Sequence, residues 1–320
     1  MRVDGILRRA MDGEALDREQ ALALLGIENG SEDFYRLLSA ANRLTRSEFK
    51  NRGYIFAQIG VNAEPCSKNC RFCSMGADHY AMDSQWRKDA DTAVYEVEFL
   101  VKQGVDDIFL MTTADYPMDE FMEIARSARS MIPEKIRFVA NVGDFDLNTA
   151  EQLKTAGFTG VYHIHRLREG TDTDIAPEDR IRTLDAIRDA GLELYYCVEP
   201  IGPEHAYEEL VEEMIRAREY GAGVMAVMRR VPVKGTPLYE KGQISAMELT
   251  KIAAAARLVS RPARAMNAHE VTPMTLLAGV NQLYAEYGAN PRDNESNTEK
   301  GRAFSVDRVR QLLADAEYEL

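Results

Sequence analysis

Four times along this 320-residue chain, a helix-like stretch with a basic residue in its last turn ends in glycine, and an apolar run follows. The instances are "KQGVDDIFLMTTAD" (Gly104), "KTAGFTGVYHIHRL" (Gly157), "RDAGLELYYCVEPI" (Gly191) and "REYGAGVMAVMRRV" (Gly221). Glycine just past a helix accepts a left-handed backbone cheaply, and a basic last turn complements the negative end of the helix dipole. The runs that follow are nearly continuous in apolar residues, as parallel strands buried on both faces require. Runs at 54–63, 135–143, 263–270 and 282–289 bring the strand count to eight. Amphipathic stretches lie between them, near 91–103, 118–131, 147–156, 178–190, 204–220 and 245–259. Eight alternating units predict a (β/α)8 TIM-type barrel rather than an open sheet. Residues 1–50 read as an N-terminal helical extension, 51–320 as the barrel and 305–318 as a C-terminal closing helix. The polar, turn-rich stretch 288–301 reads as an exposed loop.

A 45% apolar share supports a core of that size. The net charge is −13 and the basic residues are scattered, which argues against nucleic acid or an anionic membrane surface as partner. No apolar run approaches the roughly 18–20 residues needed to span a bilayer. The opening residues also lack the apolar segment of a signal peptide. A cytoplasmic protein is expected. Four cysteines, three of them clustered, do not make a disulfide framework, so they are expected to stay reduced and bind something.

The cluster is "EPCSKNCRFCSMG", with Cys66, Cys70 and Cys73 spaced C-x3-C-x2-C and Phe72 before the last thiol. It directly follows the first strand, on the barrel face where active sites gather. Two readings compete. His79 could complete a Cys3His zinc site, which would make the chain a zinc-stabilised binding or scaffold protein. Alternatively, three thiolates hold a [4Fe–4S] cluster and leave one iron open to an exogenous ligand. A large barrel has ample core without a zinc knuckle, which favours the cluster.

This motif in this position resembles the radical S-adenosylmethionine (SAM) superfamily. The likeness extends along the chain toward biotin synthase, the hydrogenase maturase HydE and methylornithine synthase, with an HmdB-like branch also in view. "LDREQALALL", "PEDRIRTLDAIRDAGLELYYC" and "VPVKGTPL" (231–238) carry it. The resemblance implies that Cys66, Cys70 and Cys73 bind three irons, while the amine and carboxylate of SAM chelate the fourth. Reductive cleavage, fed by a donor such as flavodoxin or ferredoxin, then yields a 5′-deoxyadenosyl radical that abstracts hydrogen from a small-molecule substrate. It further implies that Thr112 and Thr113 lie by the methionyl amine and that Glu169 contacts SAM. Arg180 would pair with the SAM carboxylate, a role a guanidinium can fill bidentately; the plain alternative is an ion pair with Glu178 or Asp179. Arg168, beside Glu169, could serve in its place or contact the substrate. Ile201 and Gly202 match the adenine segment, although Glu199 and Pro200 replace small residues there. Phe72 would pack near the adenine.

The chain also departs from biotin synthase, which draws sulfur from a [2Fe–2S] cluster inside its barrel. Cys197 and Arg264 match two of that cluster's ligands, but Met111 and Val139 stand where two thiols are needed. Sulfur insertion is therefore not expected. Cys197 is either a small buried hydrophobe or a barrel-lining thiol near the radical, the candidate catalytic residue. His163 and His165 alternate on strand four and so share a face. Asn267 and His269 lie on the face opposite Arg264, and one of Arg229 and Arg230 points inward. Such a cavity suits a small polar substrate, carboxylated ones included. The expected reaction is HydE- or HmdB-like, in cofactor biosynthesis or maturation. The alternative is an amino-acid carbon-skeleton mutase resembling methylornithine synthase.

Overall fold

A computed structural model of the chain describes residues 2–269, 272–286 and 304–320. Eight parallel strands close into a barrel: β1 (Tyr54–Gly60), β2 (Asp107–Met111), β3 (Arg137–Asn141), β4 (Gly160–Tyr162), β5 (Glu193–Ile201), β6 (Val224–Arg229), β7 (Ala265–Ala268) and β8 (Gln282–Glu286). Each pairs with its sequence neighbours, and β8 closes onto β1. Gly104, Gly157, Gly191 and Gly221 all take positive φ, between 65° and 92°, so the punctuation read in the sequence is used as glycine.

Three helices, α1 (Val3–Met11), α2 (Arg18–Leu25) and α3 (Glu32–Glu48), precede the barrel. The outer layer is α4 (Ala90–Gln103), α5 (Met118–Arg129), α6 (Leu147–Thr155), α7 (Pro177–Ala190), α8 (Tyr207–Glu219) and α9 (Ala246–Ser260). The early helices lie against it, α2 on α8 and α3 on α9, and their apolar residues join one continuous core with the barrel. The last helix, α10 (Val306–Asp315), packs on β8 and β1. Between β7 and β8 stands a short 3-10 turn, Pro273–Ala278, rather than a full helix. The stretch 288–301 lies outside the described residues.

Strand four is shorter than the sequence suggested. β4 ends at Tyr162, so alternation no longer governs His163 and His165. They diverge: His163 Nε2 stands 3.2 Å from Asp144 Oδ1, whereas His165 Nδ1 meets Glu213 Oε1 of α8 at 2.9 Å.

The barrel's N-terminal end, its floor, is sealed by a polar network. The Arg264 guanidinium meets Tyr195 Oη at 2.6 Å, Glu193 Oε1 at 3.1 Å and Asp107 Oδ2 at 3.3 Å. Arg137 joins Glu193 at 3.2 Å, Gln282 donates to Asp107, and Asn267 donates to Gln282 at 3.0 Å. Arg264 precedes β7, so its long side chain curls beneath the barrel although its alternation is opposite to Asn267. Above this layer, Phe56, Phe109, Tyr195 and Tyr284 pack ring against ring, Phe56 on Phe109 at 4.8 Å and on Tyr284 at 4.9 Å.

Candidate active site

The thiol loop is shaped mainly by its own backbone. Cys66 N–H donates to Met75 O at 2.7 Å, Ala77 N–H to Cys66 O at 2.9 Å and Cys73 N–H to Cys70 O at 2.8 Å. His79 sits beneath the loop with Nε2 3.2 Å from Cys70 O and 3.0 Å from Cys73 O. Two carbonyl acceptors require that nitrogen to carry the proton. Gly76 makes room for the ring, since a Cβ there would fall 2.3 Å from His79 Cε1. His79 is thus a brace for the loop, and its Nε2 is committed to carbonyls rather than to a metal.

The three thiols open onto a cavity of about 890 Å³, including its mouth, at the C-terminal ends of the strands. Cys66, Cys70, Phe72, Cys73, Thr112, Thr113 and Arg180 line it. Thr113 is fixed by Asn62, which donates to its Oγ1 at 2.9 Å and accepts from its N–H at 2.9 Å. Arg180 is buried between two carboxylates, Nε 3.0 Å from Glu169 Oε2 and Nη1 3.2 Å from Asp144 Oδ1. Its partners are therefore Glu169 and Asp144, not its helix neighbours Glu178 and Asp179. Burial opposes the charge on Glu169, but Arg166, Arg180 and the Thr173 hydroxyl outweigh it and hold the carboxyl below its usual range. Burial opposes the charge on Asp144 too, yet its contact with His163 and the nearby Arg180 hold that carboxyl low.

Five expected residues do not line the cavity. Glu169 backs Arg180. Arg168 turns to Asp172, Nε to Oδ2 at 3.3 Å, and is part-exposed. Ile201 is buried at the end of β5, and Gly202 provides space for the Arg230–Glu204 pair, whose atoms a Cβ would meet at 2.5 Å. Cys197 is fully buried on β5. Of the two arginines ending β6, Arg230 lines the cavity, while Arg229 donates to Ile244 O at 3.2 Å.

Sequence reading missed Arg166. It lines the cavity two residues before Arg168, and its Nε is buried with no hydrogen-bond partner; Glu199 Oε1 is 3.6 Å away. Burial disfavours its charge, but Cys70, Glu169 and Glu199 keep it protonated. The only signal was the basic run "HRLREG", in which parity after a strand could not select the inward arginine.

The donor set fits an iron–sulfur cluster. Burial, against the pull of Arg166 and with help from Cys73 and Cys66, pushes the Cys70 thiol up to about 12, and burial raises Cys66 as well. A bound cation would displace the protons of these part-buried thiols. Among the described residues, the one set of three potential ligands with all donor atoms within 4.8 Å of one another is Cys197, Glu199 and His269. Arg166 adds a cation beside an anionic assembly.

A parallel barrel with three thiols on one loop at its mouth, open to a cofactor-sized cavity, defines an iron–sulfur barrel enzyme. The pattern of the radical SAM superfamily, whose members are enzymes that use a [4Fe–4S] cluster and SAM, matches residues 64–217, and Cys66, Cys70 and Cys73 fit its cluster motif. It is 28% identical over 263 residues to a biotin synthase of Desulforudis audaxviator, covering 79% of each chain. To that of Pelotomaculum thermopropionicum it is 26% identical over 299 residues, 87% of this chain and 90% of the relative. In fold it is similar to methylornithine synthase (TM-score 0.84, 17% identity, 98% of this chain and 96% of that one). It is similar also to HydG, a maturase of the [FeFe]-hydrogenase (TM-score 0.84, 17% identity, 99% and 75%). The zinc-scaffold reading is thereby set aside. Among the described residues, no helix is long and apolar enough to cross a membrane.

Proposed function

We propose that this enzyme abstracts hydrogen from a small substrate carrying an anionic group, in a HydE- or HmdB-like maturation reaction, and does not insert sulfur. The observation that carries the reading is Arg166, a half-buried arginine that lines the cavity and whose buried Nε has no hydrogen-bond partner. A carboxylate would satisfy it, because charge-assisted pairs of this kind are the strong ones. Sulfur insertion of the biotin synthase kind needs a second cluster. Here Met111 accepts from Gln58 at 2.9 Å, Val139 is an apolar core residue, and Arg264 is bound into the floor.

Cys66, Cys70 and Cys73 would hold the cluster, with Thr112, Thr113 and Phe72 beside SAM. When bound, cluster and SAM supply a 5′-deoxyadenosyl radical that takes a hydrogen atom from substrate. Arg180 would receive the SAM carboxylate, and Glu169 acts as its positioning residue by fixing Nε. In our reading Arg166 takes the cavity role that the sequence suggested for Arg168. Ile201 and Gly202 shape the rim through Arg230. The electron donor would be a flavodoxin or ferredoxin, as expected of a cytoplasmic enzyme.

The test is anaerobic reconstitution with SAM and reductant, counting iron and 5′-deoxyadenosine. Slow cleavage alone that is accelerated by small carboxylated thiol or thioether compounds, with no sulfur lost from the protein, supports the proposal. Acceleration by a lysine-like amino acid would sink it in favour of the mutase reading.

A further inference from the structure

Below the thiol loop, a second group of metal-binding side chains converges inside the barrel. Cys197 and Glu199 lie two residues apart on β5, where its register against β6 shifts after Val198, and His269 follows β7. Their sulfur, carboxylate oxygen and imidazole nitrogen all lie within 4.8 Å of one another. Cys197 and Glu199 are buried, and the His269 ring is flanked by Tyr162 at 5.2 Å and Phe56 at 5.4 Å. Bonds of about 2.0–2.3 Å place the ligands of a tetrahedral zinc roughly 3–4 Å apart. The three atoms are therefore within a small side-chain adjustment of coordinating one ion.

We propose that Cys197, Glu199 and His269 form a second, mononuclear site for a divalent cation of the Zn²⁺ or Fe²⁺ type, with its open position facing the cavity. A mixed thiolate, imidazole and carboxylate set selects such ions over Mg²⁺ or Ca²⁺. Three protein ligands leave one position free, as in catalytic rather than structural zinc sites. Glu199 already lines the cavity, so a polar substrate group can fill that position. Arg166 Nε lies 3.6 Å from Glu199 Oε1 at the edge of the site. Burial, aided by Glu199, holds the Cys197 thiol well above its ordinary range, so an incoming cation must displace its proton. A single thiol distinguishes this site from the [2Fe–2S] ligand set of biotin synthase. The proposal is independent of the reaction proposed above.

The experiment uses cluster-loaded protein, freed of loose metal with a mild chelator and then given zinc. Zinc and iron are counted per chain, and the zinc K-edge absorption spectrum reports the ligands. The expected result is one zinc beside an intact cluster, with one sulfur at about 2.3 Å and nitrogen or oxygen at about 2.0 Å. Cys197→Ala and Glu199→Gln should weaken zinc at least about tenfold, the loss of one ligand, with iron unchanged. No zinc above the cluster iron would overturn the proposal. So would a shell of three sulfurs, which places zinc in the Cys66–Cys73 loop, or a shell without sulfur, which places it on the surface. The wild-type spectrum decides between these outcomes, whether or not the variants fold.

Discussion

The two ends of the barrel each bury an arginine among carboxylates, and they use it differently. At the floor, the Arg264 guanidinium has Glu193, Asp107 and Tyr195 within 2.6–3.3 Å. At the mouth, Arg166 has a buried Nε with no hydrogen bond, and its nearest carboxylate is 3.6 Å away. Burying charge is costly unless partners compensate it. At the floor the arginine itself is engaged, although Asp107 Oδ1 and Asn267 Oδ1 are buried there without a hydrogen-bond partner, and the network serves stability; at the mouth the arginine's own Nε is open and awaits a ligand. The division matches the general one in these barrels, with chemistry at the C-terminal face and stability at the other.

The largest expected effect is at the mouth. Cys70→Ala should abolish cluster retention and with it 5′-deoxyadenosine formation, while the melting temperature of the cluster-free protein stays near wild type. A cluster-free melt lowered as much as that of a floor variant would erase the distinction. Next comes the floor: Arg264→Met takes the nearest cation from the buried Asp107, leaving Arg137 4.0 Å from it, and should cost about 3–5 kcal/mol in denaturant unfolding. Activity per folded molecule should change little. Arg166→Met should do the reverse, lowering kcat/KM by roughly 10–100-fold, the worth of one charge-assisted contact of about 1.5–3 kcal/mol. Its stability should stay within about 1 kcal/mol, since few native bonds are lost.

The smallest effect is in pH dependence, where the two ends oppose each other. Burial, against Arg264 and Arg137 and with Glu193 and Asp106 adding to it, pushes Asp107 up to about 6 from 3.8. The folded protein then keeps a proton that the unfolded chain has released, so this group lowers stability as pH rises through roughly 4–6. Burial, with Arg180 and Arg166 adding to it and Asp144 opposing, pushes His163 down to about 4 from 6.5. The unfolded chain then takes up the proton first, so this group lowers stability as pH falls from roughly 6.5 to 4. Asp107→Asn should accordingly steepen the loss of stability on acidification, and His163→Gln should flatten it. Thermal melts across that range, giving equal slopes for both variants, would refute the assignment.

Much of this was legible in the order of residues alone. Gly104, Gly157, Gly191 and Gly221 marked four helix ends because few other residues tolerate their backbone. The thiol spacing located the cluster because a loop that short holds three ligands without help from the rest of the chain. What failed was alternation at strand ends. His163 and His165 part company because β4 stops at Tyr162, and Arg264 reaches the barrel interior from outside its strand. Arg168 was named for its place beside Glu169, and Arg166 was missed because, beyond a strand's last residue, the backbone turns and a period of two no longer points to the inward side chain.

The sequence by itself determined the barrel, the thiol loop and the want of two thiols that a biotin synthase-like sulfur cluster needs, since each rests on local backbone rules or on residue identity at one place. Only the tertiary structure decided which buried charges are paired and which are left open. Arg166, Arg180 and Arg264 look alike in the chain; their roles follow from partners brought from distant segments, Glu199 and Cys70, Asp144, and Asp107 with Glu193. Closing the barrel also brought His269 to Cys197 and Glu199 across about seventy residues, a meeting that no local pattern encodes.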